Sequence, residues 1–333
     1  MGGWLFTVAA MVFAMVVLGG VTRLTDSGLS MVEWRPMTGW LPPFNEADWQ
    51  RLFEKYQAYP EFHKMNADMT VDGFKGIFWL EFLHRLWGRI IGIAFLVPFA
   101  VFLFRGWLNR HLAWRFAVMF VGGGLQGVMG WYMVKSGLVD RPDVSQYRLA
   151  AHLIFAFAIY AYILWVAITL WRDETFADAM PGLRPWAAGL VALVFVTAFS
   201  GALVAGLDAG LTYNTFPLMD GDWIPDGMFA MSPAYINLFE NITTVQFDHR
   251  ILATTTFASV LAFWVIGRRR GARGGLRRAL DALAVMVCLQ VALGIATLLL
   301  VVPVVLATAH QAGAALLLGL AVWAYRETVP GAE

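Results

Sequence analysis

Glu81-Phe82-Leu83-His84-Arg85 recurs in the second half of the chain as Gln246-Phe247-Asp248-His249-Arg250. Each motif lies in a long apolar run. Each has a companion histidine in the next run but one: Ala151-His152 for the first, Ala309-His310 for the second. Histidine is costly at membrane depth and normally has a function there. Four of them in duplicated positions point to two bis-histidine metal sites inside a bundle of membrane helices. The symmetry breaks at Glu81, which corresponds to Gln246, so one site is expected to do chemistry and the other to support it.

The rest of the chain fits a membrane protein. Of 333 residues, 59% are hydrophobic and only 14% charged, too apolar for a soluble domain of this length. Fifteen tryptophans and 25 phenylalanines suit aromatic belts at the membrane interfaces. A net charge of +1 carries no nucleic-acid signature. The single cysteine, Cys288, excludes a disulfide within the chain. Eight stretches reach the length of about 20 residues needed to span: 4–22, 77–104, 114–134, 149–171, 186–207, 246–267, 279–300 and 303–325. Pro303 marks a tight turn between the last two. No basic residue precedes the first run, which reads as a spanning helix rather than a cleaved signal.

Basic residues set the expected orientation. Arg268, Arg269, Arg270, Arg273, Arg277 and Arg278 crowd one short loop, and Arg105, Arg110 and Arg115 another. The positive-inside rule places both in the cytoplasm, or in the matrix of a mitochondrion, together with both termini. The loops 23–76 and 208–245 then face outward. The second of these carries Asp208, Asp220, Asp222, Asp226 and Glu240, with no lysine or arginine.

The halves read as internal repeats. Asp26-Ser-Gly-Leu-Ser30 corresponds to Asp208-Ala-Gly-Leu-Thr212, Met37-Thr-Gly39 to Met219-Asp-Gly221, and Pro43 to Pro225. Leu125-Gln126 with Gly130 corresponds to Leu289-Gln290 with Gly294. The expected architecture is all-α: two tandem four-helix bundles, residues 1–171 and 186–333, joined by a cytoplasmic linker at 172–185. Each bundle can hold a cofactor among its facing side chains.

All four histidines fall one to two turns in from the outer ends of their predicted spans. His84 and His152, and likewise His249 and His310, can therefore approach one plane from opposite sides. Two axial imidazoles with a flat macrocycle between them is haem ligation. Zinc fits less well, because neither pair has a third or fourth soft ligand. The plainer alternative is that each histidine is a hydrogen-bonded packing residue. Small residues follow four positions after each histidine, at Gly88, Ala156, Ala253 and Ala314, on the same helix face. They leave room for a porphyrin edge, or serve helix packing.

Arg85, Arg250 and Arg148, the last one turn before His152, can pair with haem propionates or snorkel to the interface. Glu81 precedes His84 by three residues on the same face, where a carboxyl can take or give a proton. Asp248 has Leu83 as its counterpart and reads as structural. His63 and His111 fall in expected loops, without repeat partners, and read as solvated.

With these residues in place, the chain resembles haem A synthase, in the form shared by alphaproteobacteria and mitochondria. The likeness runs from Gly19-Gly-Val-Thr-Arg-Leu-Thr-Asp-Ser-Gly-Leu-Ser30 through Glu81-Phe-Leu-His-Arg85 and Phe247-Asp-His-Arg250 to Thr308-Ala-His-Gln311. The resemblance implies oxidation of the C8 methyl of haem O to the formyl group of haem A, destined for cytochrome c oxidase. Two successive oxidations would give a geminal diol, which dehydrates. It implies substrate haem O on His84 and His152, a haem b cofactor on His249 and His310, and a functional Glu81. It also implies a bacterial inner-membrane protein with its haem sites toward the periplasm. Haem O synthase and oxidase assembly factors are the implied partners, and a homo-oligomer is possible. Some relatives carry a cysteine pair in the first outward loop, and this chain has none. Two other classes remain: a dihaem b-type electron-transfer protein, and a transporter with parallel repeats.

Overall fold

In a bilayer, a chain can satisfy its backbone polar groups only within helices or closed barrels. The computed structural model describes residues 1–35, 38–137, 144–171 and 180–329. Among them the chain is helical, in the order α1 (Gly2–Leu24), α2 (Glu46–Gln57), α3 (Pro60–Met65), α4 (Val71–Phe104), α5 (Arg110–Gly137), α6 (Gln146–Trp171), α7 (Arg184–Gly206), α8 (Asn237–Glu240), α9 (Ile242–Arg269), α10 (Gly274–Leu299) and α11 (Val304–Thr328). Eight of these, α1, α4, α5, α6, α7, α9, α10 and α11, are long and apolar enough to cross a membrane. They correspond one for one to the eight expected spans. Met37 and residues 172–179 of the expected linker lie outside the described residues.

By internal contacts the chain forms two compact units, one of residues 10–148 and one of Met1–Ala9 with Leu149–Glu333. These units do not coincide with the sequence halves, because α6 packs with the helices that follow it. Its Ala150 clusters with Ala202 and Leu203 of α7 and Val245 of α9. Farther along, Trp165 stacks on Tyr325 of α11 at 5.1 Å, and the Arg326 Nε–H donates to Thr169 Oγ1 at 2.9 Å.

In the larger unit, α7, α9, α10 and α11 close a four-helix ring, each packed on two neighbours. A side-chain cap starts α9. Asn241 accepts from the backbone N–H of Thr243 and Thr244, satisfying two orphan donors at the start of α9. The turn between α10 and α11 is as tight as Pro303 suggested. Val301 and Val302 both take left-handed φ, 60° and 56°, a region that costs a β-branched residue energy.

In the other unit, α4 begins at Val71, six residues before the expected span. The extra turns exist because α2 and α3 fold onto them. Trp49, Phe53 and Tyr56 of α2 and Phe62 of α3 bury themselves against Phe74, Phe78 and Phe82 of α4. Each large apolar side chain so buried contributes ~1.5–3 kcal/mol, enough to hold a short amphipathic helix that would be marginal alone. His63 is therefore in α3 and His111 in the first turn of α5, rather than in loops; both are exposed, as expected.

Candidate functional site

His249 on α9 and His310 on α11 face one another within the larger unit. Their ring centroids are 6.5 Å apart and the ring planes stand at 88°. Two imidazoles sharing one metal, with bonds of about 2 Å and ring centres about 1.1 Å behind the nitrogens, would be about 6.3 Å apart. The spacing therefore fits one metal between them.

The surroundings orient both rings. Ser200 Oγ donates to Thr197 O at 2.8 Å. The same oxygen is 2.8 Å from His249 Nδ1; with its own proton on Thr197 O it accepts the Nδ1–H, the tautomer that leaves the Nε2 lone pair for a metal. His310 Nδ1 is buried with no hydrogen-bond partner, while Gln290 Nε2 donates to the His310 carbonyl at 2.9 Å. Glycines back both rings. A Cβ at Gly201 would lie 3.0 Å from His249 Cε1, and one at Gly294 would lie 2.8 Å from His310 Cε1. The centroid spacing and the glycine-backed rings fit a haem held on this pair. Among the described residues no group of three or more His, Cys, Asp or Glu could hold a metal.

In the smaller unit, a Cβ at Gly19 of α1 would lie 3.3 Å from His84 Nε2. Gly19 and Gly201 stand at equivalent places in the two halves, so the same device backs His84 and His249. Gly88 follows the packing alternative: its Cβ position faces Met15 Cε at 3.1 Å. His84 sits deeper into its helix than the other three histidines because of the extra turns of α4. His152 belongs to the larger unit.

Glu81 is 2% exposed. Its Oε2 accepts from Ser30 Oγ at 2.7 Å and from the Met31 backbone N–H at 2.6 Å. Its Oε1 pairs with Arg85. Arg85 also donates to the carbonyls of Glu33 at 2.9 Å and Met31 at 2.8 Å, with Trp34 over its guanidinium at 4.7 Å. One turn on, Arg89 donates to the Arg35 carbonyl at 2.8 Å and faces the Trp40 ring at 5.7 Å. Glu81, Arg85 and Arg89 form one stripe along α4, and this stripe straps down the segment after α1. Within the strap, Glu33 pairs with Lys55 and Arg35. The hydrogen bond from Lys55 is the main reason the Glu33 carboxyl titrates below its usual range.

The second motif makes the same connections with one reversal. Arg250 donates to the Tyr213 carbonyl at 2.7 Å, to the Leu218 carbonyl at 3.3 Å and to Gln246 Oε1 at 3.1 Å. Gln246 Nε2, however, donates to the carbonyls of Ala209 at 2.7 Å and Thr212 at 2.6 Å. The first loop offers donors to a carboxylate, and the second offers acceptors to an amide. Asp26 and Asp208, at equivalent positions, both take left-handed φ, 49° and 50°. Arg85 and Arg250 thus each donate to at least two loop carbonyls, although Arg250 Nε is buried without a partner. Arg148 lies over Tyr132 at 5.2 Å. Asp248 makes no contact with either histidine ring among those described.

Sequence reading missed Ser30, Ser200 and the backing role of Gly19 and Gly201. The repeat offset that pairs Asp26 with Asp208 also pairs these glycines, so the signal was present.

The chain is similar to known proteins along nearly all its length. "Heme A synthase" of Nitrosospira multiformis is 54% identical over 97% of this chain and 92% of its own length. "Heme A synthase" of Paramagnetospirillum magneticum is 50% identical, over 97% of this chain and 92% of its own. "Heme A synthase COX15" of Bos taurus is 45% identical, over 98% of this chain and 81% of its own. The family model described as cytochrome oxidase assembly protein matches residues 2–322, which include both motifs, both companion histidines and the strap. By that match and by its full-length relatives, the chain belongs to the COX15-CtaA family of cytochrome oxidase assembly proteins.

Proposed function

We propose that the chain is a haem A synthase, oxidising the C8 methyl of haem O to a formyl group for use in cytochrome c oxidase. The family supports the product. The observation that carries the site reading is the His249–His310 pair, whose rings stand 6.5 Å apart, each backed by a glycine. This pair is the proposed seat of a haem b cofactor, which when bound supplies one-electron transfer. Ser200 keeps the His249 ring in the orientation and tautomer a metal needs.

His84 and His152 are proposed as ligands of the substrate haem, on sequence correspondence and resemblance. Two successive oxidations of the methyl would give a geminal diol, and loss of water from it leaves the aldehyde. Glu81 is proposed to act in this half, as a carboxyl that takes or gives a proton during the methyl oxidation. Arg148 and the unpartnered Nε–H of Arg250 are donors left for propionates. The two-bundle repeat, the bacterial inner membrane, cytoplasmic termini and sites toward the periplasm belong to the same proposal, with haem O synthase and oxidase assembly factors as partners.

The test is mass spectrometry of haems extracted from cells expressing this chain beside a haem O synthase. Haem A is the expected product. Unmodified haem b alone would favour a dihaem electron carrier and overturn the reading.

A further inference from the structure

We infer that Ser30 is a positioning residue for Glu81, and that the strap after α1 exists to fix that carboxylate. The inference rests on the functional reading above. Ser30 is 2% exposed and reaches Glu81 Oε2 at 2.7 Å from 51 positions away in sequence. The Met31 N–H reaches the same oxygen at 2.6 Å. Two donors on one oxygen and Arg85 on the other leave the carboxylate one orientation, because a carboxylate is acceptor-only and every donor around it is fixed in the fold.

The second half serves as an internal control. Thr212 stands where Ser30 stands in the first. Both hydroxyls lie within reach of the carbonyl three residues back, Ser30 Oγ at 3.0 Å from Ser27 O and Thr212 Oγ1 at 2.9 Å from Ala209 O, and Ser30 Oγ is also 3.3 Å from the Ile77 carbonyl. The halves differ at the motif side chain: Ser30 Oγ stands 2.7 Å from the Glu81 carboxylate, whereas Gln246 meets the carbonyl of Thr212 and not its hydroxyl. The contact to the carboxylate is the shortest of the three that Ser30 makes, as a charged acceptor favours.

The arrangement also explains the length of the strap's attachment. Ser30 can be held at Glu81 only if the chain beyond it is fixed. Arg85 fixes it at Met31 and Glu33, and Arg89 fixes it at Arg35. The donor and its backing therefore come from one helix face and one segment, and no side chain from the larger unit is needed.

The experiment is a double-mutant cycle in the full chain, co-expressed with haem O synthase: Ser30→Ala, Glu81→Gln and both together. Loss of a hydrogen bond to a charged group corresponds to about ten- to a hundredfold. Ser30→Ala should therefore slow haem A formation by roughly that factor while the low-spin haem b signal stays unchanged. In the Glu81→Gln background the same change should add nothing, since residues acting through one another are non-additive. Wild-type turnover in Ser30→Ala, or an equal fall in both backgrounds, overturns the inference. If the alanine chain does not accumulate, Ser30→Cys keeps the size with a weaker donor; it should be intermediate, and a wild-type rate would be equally fatal. An infrared difference spectrum of wild type against Glu81→Gln isolates the carboxylate band. Ser30→Ala should shift that band whatever the chain's activity, so a failure of the functional reading would be told apart from a failure of this one. An unshifted band overturns the inference directly.

Discussion

Gly294→Ala adds a single methyl group to α10 and tests whether the glycine at the back of His310 is there for the ring. The new Cβ would sit 2.8 Å from His310 Cε1, 3.4 Å from Nδ1 and 3.5 Å from Nε2. Ordinary carbon contacts lie at about 3.5–4.0 Å, so the ring must retreat by roughly 0.7 Å or the helices must part. Overpacking of this kind costs about 1–3 kcal/mol. Against it, alanine is better than glycine in a helix interior by about 1 kcal/mol. The net effect on fold stability is therefore between about zero and a loss of about 2 kcal/mol. The strain falls on the imidazole, and if it is expressed as weaker ligation, each 1.4 kcal/mol is tenfold in affinity. A loss of about five- to a hundredfold in haem affinity is expected, read as depleted low-spin absorption in the purified protein. Gly189→Ala on α7, where a Cβ meets nothing within 4 Å, is the matched control and should raise the melting temperature slightly with a full spectrum. A full low-spin spectrum in Gly294→Ala, with the control also unchanged, would refute the reasoning that the glycine makes room for a ligating ring.

Two further outcomes are expected. Glu81→Gln should keep the His249–His310 haem and accumulate haem O or a partly oxidised alcohol, with haem A down at least ~10-fold, since general acid–base groups contribute ~10²–10⁴-fold; extracted-haem mass spectrometry decides, and near-normal haem A would show that the carboxylate is dispensable. A cysteine replacing Asp222 should react with an impermeant thiol reagent on intact spheroplasts, and labelling only after lysis would reverse the proposed orientation.

The spanning helices were legible because the bilayer leaves apolar runs little choice, and Pro303 announced its turn for the same local reason. The His249–His310 pair was legible because a duplicated, costly residue stands out against apolar sequence. What escaped notice depends on contacts between distant residues. Trp49, Phe53 and Tyr56 already show helical spacing, but whether that short helix forms depends on Phe74 and Phe78 lying beneath it. Ser30 looks like any loop serine until Glu81 is folded against it. The placement of α6 with the later helices follows from Ala150, Trp165 and Thr169 meeting partners far along the chain, and no local pattern encodes that choice.

The reversed hydrogen bonding around Glu81 and Gln246 bears on how the two halves can change. Replacing Gln246 with glutamate would set a carboxylate against the carbonyls of Ala209 and Thr212, acceptor against acceptor. Replacing Glu81 with glutamine would turn an amide NH₂ toward either the Ser30 and Met31 donors or Arg85. Exchanging either residue for the other's costs hydrogen bonds, because the main chain of each loop is already turned to suit its own. The difference between the two motifs is thus held by the path of the backbone as well as by one side chain.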